Sequence, residues 1–210
     1  MITLTPRLQA VADLVPPGSL VADIGCDHGY VSAYLVQQGI APQVVAADVR
    51  PGPLSACRRL VADLGLADQI HARLCSGLTE IEDGECQTVV LAGMGGELIV
   101  DILTACPYIH KKTLILQPMT HPEVVRQFLF TNGFGIDCAR VVPEGRHHYL
   151  VLRATPGAAP AVYSQADLYL AGITDFSDRA YFDQLLRYLR NRQKGGADTG
   201  AVIRAIEEKL

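Results

Sequence analysis

Three carboxylates and a set of glycines carry the chemical signal in this chain. Asp23-Ile24-Gly25-Cys26-Asp27-His28-Gly29 follows directly on the apolar run Leu20 to Ile24. Glycines at alternate positions let a backbone come close to a ligand. A carboxylate beside such a turn can hold a cationic group, and Asp23 is the candidate for that task, directly or through water. The spacing is not Gly-x-Gly-x-x-Gly, the arrangement that cradles a dinucleotide pyrophosphate. Asp27 stands where the pattern usually has its central glycine. It either caps the following helix, a common role for Asp, or brings a carboxylate to where a transferred group meets its acceptor. The motif leaves both open, and one residue can do both. His28 reads as a turn or supporting residue rather than a general base.

Asp48 lies 23 positions beyond Gly25. An acidic residue at about 20 positions binds ribose hydroxyls in Rossmann-type sites, because a carboxylate accepts two hydrogen bonds from a vicinal diol. An ammonium holder, a diol holder and no pyrophosphate cradle fit S-adenosylmethionine, and the turn is similar to that of methyltransferases. Ala92-Gly93-Met94-Gly95-Gly96 adds three glycines after another apolar run. Asp or Asn followed by Pro-Pro and an aromatic, the motif of amino-directed nucleic-acid methyltransferases, is absent there. Gln117, in Leu116-Gln117-Pro118-Met119, can bond a base edge. His147-His148 has no carboxylate or cysteine at ligand spacing, and no metal is expected. The six cysteines form no Cys-x-x-Cys pair and read as small buried thiols.

These residues must be positioned by alternating strands and helices. Helices are expected over Thr5–Leu14, Tyr30–Gln38, Pro51–Leu64, Gly96–Cys106 and Pro122–Thr131. Strands are expected over Leu20–Ile24, Val44–Ala47, Ile70–Leu74, Thr88–Ala92 and Thr113–Gln117. The uninterrupted apolar character of LVADI, VVAA, VVLA and LILQ fits strands buried on both faces of a parallel sheet. Phe134–Val142 and His147–Arg153 are separated only by Pro143 to Arg146, which predicts a terminal antiparallel hairpin. The fold class is thus α/β: a Rossmann-like class I methyltransferase sheet with a terminal hairpin, plus a small C-terminal helical domain. Residues 1–155 form the S-adenosylmethionine-binding domain and residues 162–210 the helical one. Thr155 to Ala161 reads as the linker, and helices are expected over Tyr163–Ala171, Ser177–Arg192 and Gly200–Leu210. So short a tail has too little surface for a large core of its own. It reads as a helical hairpin on the main domain, or as an arm.

The chain has 210 residues, 49% of them hydrophobic, enough for a real core. No apolar run approaches the ~20 residues needed to cross a bilayer, so no membrane is expected. The N-terminus lacks the basic start and apolar block of a secretory signal, which points to the cytoplasm. Nothing in the pattern suggests a stable protein partner. A net charge of −4 argues against indiscriminate nucleic-acid binding. A local basic face remains possible: Arg179, Arg187, Arg190, Arg192 and Lys194 lie close together with one acid, Asp183.

With these residues in place, the chain resembles the TrmK family of bacterial tRNA methyltransferases. The matching segments are TPRLQAVADLVPPGSLVADIGCDHGY, CSGL at 75–78, LAGMGGELIVDIL at 91–103 and LILQP at 114–118. The resemblance implies transfer of a methyl group from S-adenosylmethionine to N1 of adenine 22 in tRNA. It puts Asp23, Gly25, Cys26, His28, Asp48, Val49, Ser76, Gly77, Leu78, Gly93 and Met94 at the cofactor and Asp27 at the catalytic position. Arg7 falls on a basic residue of the family's opening motif, and Arg7, Gln117, Arg187, Arg190 and Arg192 are the candidates for the substrate side. Ser76 stands where the family commonly has Asp, and Met119 where it commonly has Asn. The rival readings are a nicotinamide-dependent oxidoreductase, a methyltransferase on another substrate, and a non-catalytic RNA-binding module on a relict cofactor fold.

Overall fold

The apolar runs of the sequence become the middle of a seven-stranded sheet. The computed structural model describes residues 1–210. Its helices are α1 (Pro6–Asp13), α2 (Tyr30–Gln37), α3 (Pro51–Asp63), α4 (Gly96–Thr104), α5 (Pro122–Thr131), α6 (Asp167–Leu170), α7 (Arg179–Lys194) and α8 (Gly200–Glu207). Its strands are β1 (Val21–Ile24), β2 (Val44–Asp48), β3 (Ile70–Leu74), β4 (Thr88–Gly95), β5 (Thr113–Thr120), β6 (Phe134–Glu144) and β7 (His147–Pro156). The order is β3-β2-β1-β4-β5-β7-β6. The first five strands are parallel, while β7 runs antiparallel to both β5 and β6.

Strand alternation divides the core in two. Ala22, Ile24, Val45, Val89, Leu91, Leu114 and Leu116 face α4, α5 and the C-terminal helices. Val21, Val44, Ala46, Val90 and Ile115 face α1, α2 and α3. Every residue of β1 and β2 is buried, which is why both strands read as unbroken apolar runs apart from Asp23 and Asp48.

Four differences from the expected elements have local causes. β4 and β5 each run three residues further, to Gly95 and Thr120, because their ladder resumes after a bulge between Ala92 and Gly95. The hairpin is tighter, since Pro143 and Glu144 stay paired with His148 and His147 and only Gly145 and Arg146 turn. Helix α6 is one turn long. The Asp167 carboxylate accepts from Ser164 N at 2.6 Å and Ser164 Oγ at 2.8 Å, which makes a turn where a longer helix was expected. The expected linker is partly paired and partly packed. Thr155 and Pro156 belong to β7, and a Cβ at Gly135 would collide with Ala158, so β6 needs glycine there for the chain to pass.

The C-terminal helices complete the second core layer. Phe182, Leu186 and Leu189 of α7 and Val202, Ile203 and Ile206 of α8 are buried in the same cluster as Ile99, Val125 and Leu152. Asp178 caps α7 by accepting from Tyr181 N at 3.1 Å, and its other oxygen lies 2.7 Å from His148 Nδ1 of β7.

Arg126 of α5 sits in this layer with none of its surface exposed. Its Nη2 donates to the Ala171 carbonyl at 3.2 Å, and Nε and Nη1 have no partner. Burial pushes its pKa down to about 10. Dry, unpaired charge is costly, and an apolar side chain of similar length removes the cost. Arg126→Met should therefore raise stability by about 1–2 kcal/mol, a gain in Tm of roughly 2–8 °C for a chain of this size. A lower Tm in thermal unfolding would show that the Ala171 bond outweighs the desolvation.

Candidate active site

Strand order reverses between β1 and β4, and the crevice beyond their carboxyl ends is where open α/β sheets bind ligands. A cavity of about 600 Å³ opens there, at the ends of β1, β2, β3 and β4. Of the residues expected at the cofactor, Asp23, Gly25, Cys26, His28, Asp48 and Val49 line it. So do Ser76, Gly77, Gly93 and Met94, together with Asp27 and Arg7.

Asp23 is 4% exposed, and its Oδ2 accepts from Ser32 Oγ of α2 at 2.6 Å. Burial raises its pKa to about 6, against the opposing effect of the Ser32 bonds. Two residues on, Gly25 adopts φ +70°, and a Cβ there would collide with Met94 Cε. The left-handed backbone is what calls for glycine there, since the Met94 methyl ends a flexible side chain.

Asp48 is 3% exposed and held from two sides. Its Oδ1 accepts from Arg50 N at 2.8 Å, and its Oδ2 accepts from Asp27 N at 3.2 Å. Asp27 itself has φ +51°, rare for a residue with a side chain. It does not cap α2; the N-cap is Gly29, which gives no side-chain bond. The cap reading is thereby removed. The Asp27 side chain is 58% exposed, with Oδ1 3.7 Å from Arg50 Nη2 and 3.8 Å from His28 Nε2. His28 stacks on Tyr30 with ring centroids 5.9 Å apart.

Five expected residues lie elsewhere. Leu78 is buried in the core and does not line the cavity. Gln117 is fully buried, so it cannot meet a base edge. Its Oε1 accepts from Arg7 Nη1 at 2.6 Å and from Gly93 N at 3.1 Å. The arginines of α7 are outside the cavity and do not share one face. Arg190 pairs with Glu207 at 2.6 Å. Arg192 lies about 140° round the helix axis from Arg187, 3.6 Å from Glu123. Arg179 is bonded to the carbonyl of Leu210. Arg187 and Lys194 form no ion pair.

Arg50, Tyr30, Leu98 and Ile102 line the cavity and were not singled out from the sequence. Arg50 follows Asp48 by two residues and Tyr30 opens the helix after the glycine turn, so loop position was the available signal. Leu98 and Ile102 are one helical turn apart on α4, which resembles any amphipathic spacing.

The donor set suits S-adenosyl-L-methionine. A dry carboxylate faces where an ammonium would sit, a second is placed for a diol, and the glycine edge admits the ligand. The model of the methyltransferase-domain family matches residues 4–152. The tRNA (adenine(22)-N(1))-methyltransferase of Bacillus subtilis is 36% identical over 169 residues, covering 80% of this chain and 71% of that protein. The chain belongs to the tRNA (adenine(22)-N(1))-methyltransferase family. The crystal structure of the B. subtilis family member TrmK superposes with a TM-score of 0.85 at 28% identity, over 100% of this chain and 96% of that one. A Streptococcus pneumoniae structure in complex with S-adenosyl-L-methionine gives 0.83 at 27% identity, over 98% and 99% of the two chains. The Rossmann-like methyltransferase fold expected from the sequence is that of the family. No helix is long and apolar enough to cross a membrane, and no group of three or more His, Cys, Asp or Glu residues is placed to hold a metal ion.

The raised pKa of Asp23 has a definite sign. Below about pH 6 the free protein holds Asp23 protonated, without charge to offer an ammonium. S-adenosyl-L-methionine affinity should fall towards tenfold per pH unit below 6, as linkage requires, and decline again above about pH 8, where the ligand's own α-amino group loses its proton. Above pH 6 the ionised, buried carboxylate also destabilises the free protein. Asp23→Asn should therefore bind weakly at every pH yet melt higher than the wild type at pH 8. Calorimetric titration and thermal unfolding check the two halves separately.

Proposed function

We propose that this chain methylates N1 of adenine 22 in tRNA, using S-adenosyl-L-methionine as methyl donor. The observation that carries the reading is a set of three carboxylates lining one cavity, two dry and one exposed. Asp23 holds the ammonium and Asp48 the ribose diol. Asp27 reaches the open side, where an acceptor must arrive. Gly25, Cys26, His28, Val49, Ser76, Gly77, Gly93 and Met94 shape the remaining wall.

S-adenosyl-L-methionine supplies a methyl group made electrophilic by its sulfonium. N1 of adenine has a free lone pair, so no residue has to deprotonate it first. The chain's task is alignment and charge stabilisation. Methylation leaves the ring cationic, and Asp27 stabilises that charge or holds the N6 amine. Asp48 keeps Asp27 in its left-handed conformation by accepting its N–H, so the diol holder also aims the catalytic residue. N1 is engaged whenever adenine is paired, so the target adenine must be unpaired or flipped out.

The helical residues 162–210 supply part of the grip on tRNA. On α7, Arg187 and Lys194 lie within about 20° of each other round the axis, on the outward side, and both are exposed. They are the free cations for phosphates, whereas Arg190 and Arg192 are engaged by Glu207 and Glu123. A tRNA substrate places the reaction in the cytoplasm.

Labelled methyl transfer to unmodified tRNA with adenine 22, beside a variant carrying guanine there, tests the reaction. Label on the adenine form alone is expected. Label on neither, with cofactor binding intact, would end this reading. Asp27→Ala should lower kcat by about 10²–10³-fold, the usual loss for a transition-state electrostatic contact, and leave S-adenosyl-L-methionine affinity nearly unchanged. For the grip, Arg187→Ala with Lys194→Ala should reduce the salt dependence of tRNA binding by about 1.5–2 in log–log slope. An unchanged slope would exclude both from the interface.

A further inference from the structure

A second concave surface lies on the other side of β5 from the cofactor cavity. It is built from the end of β5, the start of α5, the β6–β7 hairpin and α7. Two adjoining hollows of about 360 and 390 Å³ share Met119, Pro122, His148, Tyr181 and Gln184. We propose that this groove holds a second unpaired nucleotide of the tRNA, next to the one being methylated, with its base stacked on Tyr188. The proposal rests on the tRNA reading above.

Its lining is the first argument. Tyr169, Tyr181, Tyr188, His121 and His148 present rings to the first hollow. Successive bases stack on such platforms without sequence preference. Tyr188 is 41% exposed and Met119 49%, large apolar surfaces left to water. Of the eight large hydrophobic side chains that are exposed, these two line the groove and Tyr30, Val49 and Leu98 line the cofactor cavity. Exposed apolar surface is thus concentrated in the two hollows, as binding sites require.

Charge is the second argument. Arg146 lines the groove from the hairpin turn, and Arg192 lies over the Tyr188 ring at 5.7 Å. Glu123 is the one acid in the lining. Its carboxylate is 3.6 Å from Arg192 Nη1, which offsets its charge, and lies beside the His121 ring. The groove accepts a phosphate without facing a free carboxylate.

Continuity is the third argument. Gly95 lines the cofactor cavity and pairs in register with Thr120, which lines the groove. Neighbouring strands are ~4.8 Å apart. Arg7 lines the cavity, and its guanidinium lies 5.3 Å from the ring centroid of Tyr149 in the groove. One strand of RNA can occupy both hollows across the ends of β4 and β5.

The chain contains no tryptophan, so Tyr188→Trp introduces a single indole at the proposed stacking position. Titration with unmodified tRNA carrying adenine 22 should quench that indole, and duplex RNA of the same length should not. Tyr188→Leu keeps an apolar side chain but loses the ring. It should raise KM for tRNA about tenfold, the usual loss on removing one stacking partner. Its kcat and S-adenosyl-L-methionine affinity should be unchanged, the latter also confirming its fold. An unquenched indole together with an unchanged KM overturns the groove while the wild type still methylates tRNA. Failure of the wild type to label tRNA overturns the underlying reading instead.

Discussion

Asp23 is a carboxylate kept almost entirely from water, and the arrangement of the ligand edge follows from keeping it there. It sits within β1, paired on one side with Ala46 and on the other with Val90, so the strand cannot move to hydrate it. One hydroxyl, Ser32 of α2, shares its charge. To bring that hydroxyl close, α2 must start immediately after the turn, and it does so because Gly29 leaves room against Cys57. The free protein carries an unfavourable, half-compensated charge in a position where a cationic ligand relieves it. Strain of this kind is retained where binding gains from it.

From Asp23 the order passes outward through buried side chains that hold backbone N–H groups. The Gly25 turn lies under Met94 at the end of the ladder that holds β4 against β1. Gly93 N is held by Gln117, which also orients Arg7. Asp48 holds both Arg50 N and Asp27 N. The exposed Asp27 carboxylate, catalytic on the proposed reading, is thereby fixed by its main chain while its side chain stays exposed. A residue that must meet a large substrate from solvent can in this way be pre-aimed without being buried.

What was legible in the sequence was whatever a linear pattern encodes. Asp23, Gly25, Asp27 and Asp48 are set by the rule that parallel strands end at the ligand edge, and each follows an apolar run. The hairpin was legible from two strand-like stretches and a turn. What was not legible depends on partners distant in sequence. Gln117 looks like any polar residue at a strand end; only the fold brings Arg7 to it from 110 positions away. Leu78 follows two cavity-lining residues, yet its side chain turns into the core. The basic cluster of α7 loses its unity because Glu207, Glu123 and the Leu210 carbonyl each take one cation. The Asp27 cap reading failed because the helix begins three residues on, at Tyr30, with Gly29 in the N-cap position.

The tail changes meaning once its packing is known. As sequence it is a short amphipathic appendage that could stand away from the sheet. In the structure α7 and α8 bury their apolar faces in the layer formed by α4 and α5, and Asp178 links the α7 N-terminus to His148 of the hairpin. Ala139 and Ile173 add a β-bridge. Elements joined through one core move together unless that core opens, at a cost comparable to unfolding. The cations of α7, the aromatic groove and the catalytic edge are therefore held at fixed separations. On the proposed reading, an RNA that spans all three is measured against a rigid ruler, and its target nucleotide meets Asp27 only when the rest of the RNA fits.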